Sequence, residues 1–357
     1  MLSQDRKNEV PSGLCIRALN HDNQVERNRL SQLYERTYGS SYPFAGVYKP
    51  NFWLRHGQRT GSKRFLDVVA VDGRSFVGHV SIKFDRESEQ GELVFIALDP
   101  ATRQQIFAVS RALWRTLLNV ASHQGWCGIH HYCPVNHPAN QLVSVKCFGA
   151  REISLLPNYA LAGLCVNPRL PRQDGRLSIL VMCDMLRRRG SKEAVLYPPQ
   201  AHAEIIRELY ASVDAPVEFG AAGVPVQQRV CPSGSEDQVQ HSAAGVSSRF
   251  LLRFGVRHLT ITPSEVSDFS LLRASVAEIS SGPDRLFVQV ALDDPLCTKA
   301  CSVLEDLGFC FCGVLPPLLG RHYAIYSVFS KDDVRRLALY SYQARKLFRH
   351  IMQAVRQ

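Results

Sequence analysis

Three consecutive β-strand patterns followed directly by a long amphipathic helix pattern constrain the fold of this chain most strongly. Residues 65–84 contain two runs rich in β-branched residues, joined at Asp72 and Gly73, and an Asp-Gly pair is among the strongest hairpin signals. A third strand pattern covers residues 91–100 and ends at a proline, and apolar residues at helical spacing then extend over residues 103–124. This order predicts a mixed α/β (α+β) layer fold.

The rest of the chain alternates helix and strand patterns, and the second half repeats the order of the first. The further first-half predictions are helices over residues 22–38 and 51–57, a strand over 125–135, a helix over 140–149 and a strand over 178–186. The second-half predictions are a helix over 201–213, strands within 250–262, a helix over 264–280 opened by Ser264, a strand over 285–292, a helix over 297–308 and a strand over 322–329. Because strand–helix–strand–helix–strand recurs, we expect two units of similar architecture.

These patterns divide the chain into four segments. They are a flexible N-terminus over residues 1–13, a first unit over 14–190, a second unit over 191–330 and a C-terminal helix over 331–357. The C-terminal helix pattern has one apolar seam and is basic elsewhere, which is typical either of a solvated amphipathic helix or of one that contacts phosphates.

Composition excludes several classes of protein. The 357 residues are 45% hydrophobic, which excludes disorder, collagen and coiled coil, and no apolar run approaches the ~18 residues of a membrane span. The N-terminal residues have no apolar core of a secretory signal. Eleven cysteines without paired C-x-x-C spacing indicate reduced thiols in a cytoplasmic protein rather than disulfides or zinc. The formal charge of +10 leaves a polyanionic partner, a phosphate-bearing small molecule and simple solubility open.

Residues 91–108, GELVFIALDPATRQQIFA, carry a resemblance to a known family. They resemble the central strand and pyrophosphate-binding turn of the GNAT (GCN5-related N-acetyltransferase) superfamily. Pro100, Arg103 and Ala108 match the family pattern, whereas Ile106 stands where the pattern has its first glycine. Backbone amides at a helix N-terminus bind a diphosphate well, and glycine allows its close approach, so the Ile106 departure crowds the turn.

Other stretches are similar to the same family in the same order along the chain. The hairpin over 65–84 resembles its second and third strands, residues 136–153 resemble its late helix and strand, and residues 304–320 are similar to that late helix and strand again. The resemblance covers about residues 14–190 and, in a more degenerate form, 193–330. It implies two tandem GNAT-like mixed-sheet domains, of which the second, with the acidic sequence PSEVSDFS after its strand, is not a second active site.

The resemblance implies that an acyl-CoA donor lies along the third strand and the following turn. The family's strand bulge, which exposes backbone to the donor arm, is expected at Ile96–Leu98. The implied donor-binding residues are Ile96, Ala97, Leu98, Arg103, Gln104, Gln105, Ile106, Phe107 and Ala108, together with Asn136 and Asn140 at the late helix. For the two asparagines, helix capping is an equally weighted alternative.

Glu92 is the implied general base, because an amine acceptor is mostly protonated at neutral pH and must lose a proton to react. Its alternative is an ordinary glutamate at a strand entry. The tyrosine that acts as general acid in many family members is replaced by Val145 here. The remaining candidates for the acid are Tyr132, Ser144, Cys147 and Tyr159.

His130, His131, Cys133 and His137 form the most polar cluster in the sequence. Neighbouring strand residues point to opposite faces, so the two adjacent histidines suit a metal poorly and no metal is predicted. His131 or Tyr132 is instead expected to line the cleft beside the donor, and a purely structural histidine is the alternative.

Together, the residues and the family resemblance predict an acyltransferase that moves an acyl group from an acyl-CoA-type thioester to an amine-bearing small molecule or peptide. The replacement of the pattern's first glycine by Ile106 and the net positive charge are also consistent with an alternative function on the same fold. This alternative is an aminoacyltransferase that takes its aminoacyl group from aminoacyl-tRNA. A non-catalytic GNAT-like scaffold is the third alternative. The acceptor and the oligomeric state are left open by the sequence.

Overall fold

The computed structural model confirms the predicted mixed α/β class. It describes residues 13–42, 44–60, 65–85, 89–102, 104–160, 176–186, 194–220, 239–242, 245–251, 255–282, 284–318, 321–334 and 337–355. Residues 1–12 of the predicted flexible N-terminus lie outside these ranges.

The first half contains a strand and two helices, then three antiparallel strands, then alternating helices and strands. The predicted hairpin forms at Asp72 and Gly73. The elements are β1 (Leu14–Ala18), α1 (Gln24–Tyr38), α2 (Pro50–Thr60), β2 (Phe65–Asp72), β3 (Ser75–Asp85), β4 (Gln90–Leu98), α3 (Ile106–His123), β5 (Gly128–Pro134), α4 (Pro138–Cys147), β6 (Arg151–Ala160) and β7 (Leu177–Met185).

The second half has the same kinds of element in a similar order. The elements are β8 (Ala194–Leu196), α5 (Ala203–Ser212), β9 (Val217–Phe219), β10 (Val239–Ser242), β11 (Val246–Leu251), β12 (Val256–Ile261), α6 (Phe269–Ser280), β13 (Arg285–Ala291), α7 (Cys297–Asp306), β14 (Cys310–Leu318), β15 (Arg321–Ser327) and α8 (Tyr342–Ala354). Strands β8 and β9 form a small separate parallel pair.

Within the described residues, thirteen strands form one sheet in the order β1-β2-β3-β4-β5-β7-β6-β14-β15-β13-β12-β11-β10. Counted from its far edge, the second half runs β10-β11-β12-β13-β15-β14, which repeats β2-β3-β4-β5-β7-β6. Within the described part of this sheet, each half has a parallel neighbour pair at the same place, β4 with β5 and β12 with β13. This repeat supports the predicted tandem organisation.

The two halves join edge to edge through β6 and β14. The Ser154 hydroxyl donates to the Val314 carbonyl at 2.6 Å, and Gly313 pairs with Ser154. Gly313 has a φ of +130°, and a Cβ there would lie 2.4 Å from the Ile153 carbonyl oxygen. The strands therefore approach closely at a position that only glycine suits. Arg176 also bridges the halves, because it donates to the carbonyls of Tyr159 and Gly255.

The helix predicted to open at Ser264 begins later. Residues 263–265 form a 3₁₀ turn, and the Ser264 backbone amide donates to the Asp294 carboxylate at 2.8 Å. Helix α6 starts at Phe269, because the Asp268 carboxylate accepts from the Ser270 amide and caps it.

The predicted helix over 331–357 is also shorter than expected. Gln141 of α4 holds the preceding chain in a non-helical conformation, since its amide donates to the Ala338 carbonyl and accepts from the Tyr340 amide. Ser341 then caps α8 by accepting from the Ala344 amide. Among the described residues of this segment, the α-helical part of the predicted seam is α8, and residues 332–334 form a 3₁₀ turn.

The alternation of apolar residues does not predict strands β6 and β14, which form the junction, although the family resemblance places a strand within residues 136–153 and within 304–320. Both contain prolines, and β14 also contains Gly313, so neither shows the alternation that marks a strand. None of the helices in the described ranges is long and apolar enough to cross a membrane.

Candidate active site

Strands β4 and β5 diverge, and the gap between them forms a cleft at the centre of the first half. Their parallel pairing joins Gln90 to Gly128 and ends where Glu92 meets His130. In the second half the corresponding strands, β12 and β13, stay paired over six consecutive residues. The second half therefore lacks this opening between its described strands.

The cleft has a volume of about 530 Å³, within the range of small-molecule sites. One wall is β4 with the turn that follows it, and the other is the end of β5 with the start of α4. The far mouth lies between the end of α1 and the ends of β6 and β7. The lining thus includes residues of α1 and of α3, which pack on opposite faces of the sheet.

The turn after β4 is held in place by Asp99, which the sequence reasoning missed. Its carboxylate accepts from the Ala101 amide at 2.9 Å and from the Arg36 guanidinium at 2.8 Å. A 3₁₀ turn over Pro100–Thr102 leads into α3. Among the described residues no side chain caps α3, and its first turn carries no acidic residue. The predicted Arg103 lies outside the described residues.

Helix α3 begins at Ile106, whose side chain lines the cleft. The first amides of a helix have no carbonyl partner within the helix, and the helix dipole is positive at this end. The amides of Ile106, Phe107 and Ala108 therefore form a site that suits an anion. The Phe107 side chain is 39% exposed and points away from the core.

The bulge expected at Ile96–Leu98 lies earlier in β4. Ser81 of β3 pairs with Phe95 and the next residue, Ile82, pairs with Leu93, so Val94 is the extra residue. The prediction of its position was wrong. The Ile96 carbonyl accepts from the Tyr38 hydroxyl at 2.7 Å, and both residues line the cleft.

Glu92 lies at the point where the two strands separate, half-buried, and lines the cleft. The neighbouring His130 is buried, and burial lowers its pKa although the Glu92 and Asp85 carboxylates act in the opposite direction. A carboxylate at the closed end of the cleft can accept a proton from a bound amine. This is the position that the resemblance implies for a base.

His131 lies on the opposite face of β5 from His130 and lines the cleft. The Ser144 hydroxyl donates to the Asn140 carbonyl, so it must accept from His131 Nε2, 2.7 Å away. His131 Nδ1 is buried and has no hydrogen-bond partner among the described residues. Burial lowers the pKa of His131 to about 3, so the ring is neutral at pH 7 and is a weak base.

Of the four candidates for a general acid, Tyr132 alone lines the cleft. Ser144 is engaged as described above, and burial raises the pKa of the Cys147 thiol to about 11. Tyr159 is fully buried and stacks on Tyr132, with ring centres 5.8 Å apart. Val145, where the family tyrosine is expected, packs against the core.

The structure brings seven of the predicted site residues to the cleft and leaves others away from it. Those that line it are Glu92, Ile96, Leu98, Ile106, His131, Tyr132 and Asn140. Ala97 is buried in the core between the sheet and α1. Gln104 and Gln105 are exposed in the turn. Asn136 does not cap α4 as its alternative role required; His137 does, since its Nδ1 accepts from the Asn140 amide.

The far mouth of the cleft was not predicted from the sequence. Tyr38, Tyr42 and Phe44 line it together with Glu35 and, from β4, Phe95. The rings of Tyr42 and Phe44 lie 6.4 and 6.0 Å from that of Phe95. Aromatic faces beside a carboxylate suit a cation. The signal was present as a run of aromatic residues after α1, but only the fold shows that it faces the cleft.

Within the described ranges there is no group of three or more side chains placed to hold a metal ion. His130 and His131 point to opposite faces of β5, and His137 caps a helix.

Comparisons with known proteins give structural matches only. No protein-family model matches the chain, and no curated protein matches it. Solved structures that are similar include the ribosomal-protein-S18-alanine N-acetyltransferase from Escherichia coli, at 16% identity and TM-score 0.38, over 50% of this chain and 97% of that one. An N-acetyltransferase from Staphylococcus aureus Mu50 matches at 15% identity and TM-score 0.39, over 49% of this chain and 100% of its own. The Salmonella typhimurium protein yncA with its cofactor acetyl-CoA matches at 14% identity and TM-score 0.40, over 51% of this chain and 99% of its own.

Proposed function

We propose that the chain is an acyltransferase that moves an acyl group from an acyl-CoA-type thioester to an amine. The observation that carries this proposal is the divergence of β4 and β5 at Glu92, which opens a cleft through the sheet with a carboxylate at its closed end. One mouth of the cleft leads to the uncapped end of α3 and the other to the aromatic residues after α1. Donor and acceptor can thus enter from opposite faces.

The donor's diphosphate binds at the head of α3. The amides of Ile106, Phe107 and Ala108 donate to its oxygens, and the helix dipole adds attraction for its charge. Gln104 and Gln105 lie in the turn beside it, and Arg103 is the cation that the family resemblance assigns to this diphosphate. The Ile106 side chain occupies part of the cleft, so the diphosphate lies further from the backbone than it would over a glycine.

The donor arm runs along β4 beyond Glu92, where the strand has left β5. Backbone groups of Ile96 and Leu98 on one side and Asn140 on the other hold it through hydrogen bonds, while Asn136 and Ala97 contribute nothing from their present positions. Backbone N–H groups aimed at the thioester oxygen stabilise the charge that develops there, and such donors supply a large part of catalysis in acyl transfer.

The reaction needs one base and gains from one acid. Glu92 takes a proton from the acceptor ammonium or amine, the nitrogen attacks the thioester carbonyl, and the carbon–sulfur bond breaks. Tyr132 gives a proton to the leaving sulfur, which forms the product thiol. His131 is neutral and weakly basic, so it does not take up the acceptor's proton. The products are an amide and a thiol.

The acceptor is an amine that carries positive charge in solution. Tyr38, Tyr42 and Phe44 offer aromatic faces, and Glu35 and Glu92 offer negative charge along the path. Both a small molecule and a peptide amine fit a cleft that is open at this mouth.

A thiol-release assay tests the proposal. Acetyl-CoA and longer acyl-CoA thioesters are combined with a panel of mono-, di- and polyamines and N-terminal peptides, and amine-dependent release of the thiol is followed. We expect amine-dependent turnover that Glu92→Gln lowers by about 10²–10⁴-fold, with donor binding retained. Glu92→Asp is the matched control, because it keeps the carboxylate and should keep part of the rate.

Three results contradict the proposal in different ways. Turnover that survives Glu92→Gln unchanged removes Glu92 as the base. Binding of aminoacyl-tRNA with a steep salt dependence, and no response to acyl-CoA, favours the aminoacyltransferase instead. No turnover and no binding with any donor of the panel favours a non-catalytic scaffold.

A further inference from the structure

Beyond its short pairing with β5, strand β4 has an edge that no strand of the described sheet covers. The Asp99 amide donates to the Val77 carbonyl of β3 at 2.9 Å, and residues of an antiparallel pair alternate between bonding to the partner and pointing away from it. Ala97, two residues earlier, therefore also bonds to β3. The backbone groups of Ile96 and Leu98 point towards the gap, and such groups need another partner.

The last turn of α1 supplies partners along this edge. The Tyr38 hydroxyl donates to the Ile96 carbonyl at 2.7 Å. The Thr37 hydroxyl lies 3.2 Å from the Leu98 carbonyl, but its single proton is shared with the Leu33 carbonyl, which is 2.8 Å away. Tyr38 therefore makes the stronger of the two contacts with the edge of β4.

Arg36, in the same turn of α1, extends the contact to the turn after β4. Its Nε donates to one oxygen of the Asp99 carboxylate at 2.8 Å, and a terminal nitrogen donates to the Phe76 carbonyl of β3 at 2.9 Å. The other oxygen of that carboxylate accepts from the Ala101 amide at 2.9 Å. One guanidinium thus joins β3 to the first residues of the turn that leads into α3.

Helix α1 is itself fixed on the sheet before it reaches β4. Leu30, Leu33 and Tyr34 are fully buried. The Tyr34 hydroxyl lies 3.0 Å from Nδ1 of His79 in β3, and Nε2 of His79 lies 3.2 Å from the Asp67 carboxylate in β2. The contacts from Arg36 and Tyr38 therefore start from a helix that packing and hydrogen bonds hold in place.

The second half of the chain holds the corresponding turn in a different way. Strand β12 stays paired with β13 over six consecutive residues. The turn after β12 is held from the end of β13, because the Ser264 amide donates to the Asp294 carboxylate at 2.8 Å. Where the neighbouring strand stays, its end holds the turn, and where it leaves, α1 does so.

We propose that the last turn of α1 replaces β5 beside the open part of β4, with Tyr38 and Arg36 as positioning residues. Tyr38 fixes the place of Ile96 along the cleft, and Arg36 fixes the turn that precedes the head of α3. The consequence for catalysis rests on the proposed function. The Tyr38 ring lines the cleft, whereas this role belongs to its hydroxyl, which acts through the strand.

Tyr38→Phe tests the contact with the strand, because it removes the hydroxyl and keeps the ring. We expect kcat to fall at least about tenfold while the dissociation constant of acetyl-CoA changes less than about twofold, because the backbone beside the thioester loses its fixed place. Tyr326→Phe is the matched control: it removes a buried hydroxyl that donates to Glu305 at 3.2 Å, away from the cleft. An equal loss of kcat in both variants overturns the role of Tyr38.

Arg36→Met and Asp99→Asn test the contact with the turn. We expect each to raise the dissociation constant of acetyl-CoA by about tenfold, and the double variant to be no weaker than either single one, since both changes remove one interaction. A simple charge effect on the diphosphate would instead weaken binding in Arg36→Met and strengthen it in Asp99→Asn. Tighter binding by Asp99→Asn, or additive losses in the double variant, therefore overturns the role of Arg36.

A matched ion pair in the second half controls for the loss of an arginine. Arg257 and Asp284 are joined at 2.9 Å, and both are about one-third exposed and do not line the cleft. Arg257→Met should leave the dissociation constant of acetyl-CoA unchanged. If it raises this constant as Arg36→Met does, the effect comes from the net charge of the chain, and the role of Arg36 is overturned.

Hydrogen exchange without any ligand, followed by NMR on the whole protein, tests the positioning itself. The loss of one hydrogen bond should speed exchange by about 2–10-fold, at the Ala97 amide in Tyr38→Phe and at the Ala101 amide in Arg36→Met, with β12 and β13 unchanged. Unchanged exchange at both amides, or equally faster exchange in β12 and β13, overturns the proposal. Because no acyl-CoA is needed, local acceleration without any turnover would refute the proposed function and leave the positioning role standing.

Discussion

Replacing Gly313 with alanine tests the close contact that joins the two halves. A Cβ at this position would lie 2.4 Å from the Ile153 carbonyl oxygen, 2.5 Å from the Ser154 Cα and 2.6 Å from the Ser154 hydroxyl oxygen. Two of these atoms belong to the backbone of β6, so a side-chain rotation cannot relieve the overlap. Strands β6 and β14 must therefore separate or shift their register.

The expected cost has two parts that a control can separate. A positive φ costs an alanine roughly 1–2 kcal/mol, and overpacking in a fixed site adds roughly 1–3 kcal/mol. Gly149 has a φ of +72° and nothing within 4 Å of its missing Cβ, so Gly149→Ala bears the first cost alone. We expect Gly313→Ala to lower the free energy of unfolding by about 1–3 kcal/mol more than Gly149→Ala.

Equilibrium unfolding in urea, followed by circular dichroism and by tryptophan fluorescence, measures both variants. All three tryptophans, Trp53, Trp114 and Trp126, lie in the first half, so fluorescence reports that half while circular dichroism reports the whole sheet. Separation of the two signals in Gly313→Ala indicates that the junction couples the halves. Equal destabilisation by the two alanine variants would refute the close contact as an energetic constraint on the junction.

Three further predictions concern the cleft. Ile106→Glu should stabilise the N-terminus of α3 by about 0.3–1 kcal/mol yet weaken acyl-CoA binding at least tenfold, measured by calorimetry against Ile106→Gln; unchanged binding would contradict a diphosphate site at this turn. Glu92→Gln should lower the bound donor's transfer rate in single-turnover experiments without changing the donor's dissociation constant, and a parallel loss of both would mean that Glu92 supports the cleft rather than acting as a base. Burial lowers the pKa of His131 to about 3 in the folded chain, whereas it is about 6.5 in the unfolded chain. The unfolded chain therefore binds the proton more readily, so the free energy of unfolding is highest above pH 6.5 and decreases as the pH falls from 6.5 towards 3. His131→Gln should therefore flatten the pH dependence of the unfolding free energy between pH 6 and 4 by about 1.4 kcal/mol per pH unit, and an unchanged slope would show that His131 takes up its proton in the folded chain.

Many helices and strands could be predicted because each is marked by a pattern of neighbouring residues. The hairpin at Asp72 and Gly73 follows from turn chemistry, and the long helix after β4 follows from its apolar spacing. The junction could not be found in this way. Strand β14 contains Gly313, which serves the contact with β6, and two prolines. These three residues hide the strand from any pattern based on alternation. The domain boundary near residue 190 stays a prediction.

The candidate site was predicted in part for a similar reason. Glu92 and Ile106 belong to one continuous stretch that a motif can describe, and both line the cleft. Asp99 holds the turn through Arg36, and Tyr38 lines the far mouth, but both relationships depend on how α1 packs against β4. The contact between Tyr159 and His258 joins residues 99 positions apart, and no local pattern indicates it.

Hydrogen exchange in the presence of acetyl-CoA tests most directly whether the β4–β5 cleft is the donor site. The proposal predicts slower exchange at two places, the amides of residues 93–98 on β4 and those of residues 106–108 at the head of α3, with β12 and β13 unchanged. Ile106→Glu should lose this protection, and Ile106→Gln should keep it. No protection at either place, or protection confined to β12 and β13, would contradict the assignment of the cleft as the acyl-donor site.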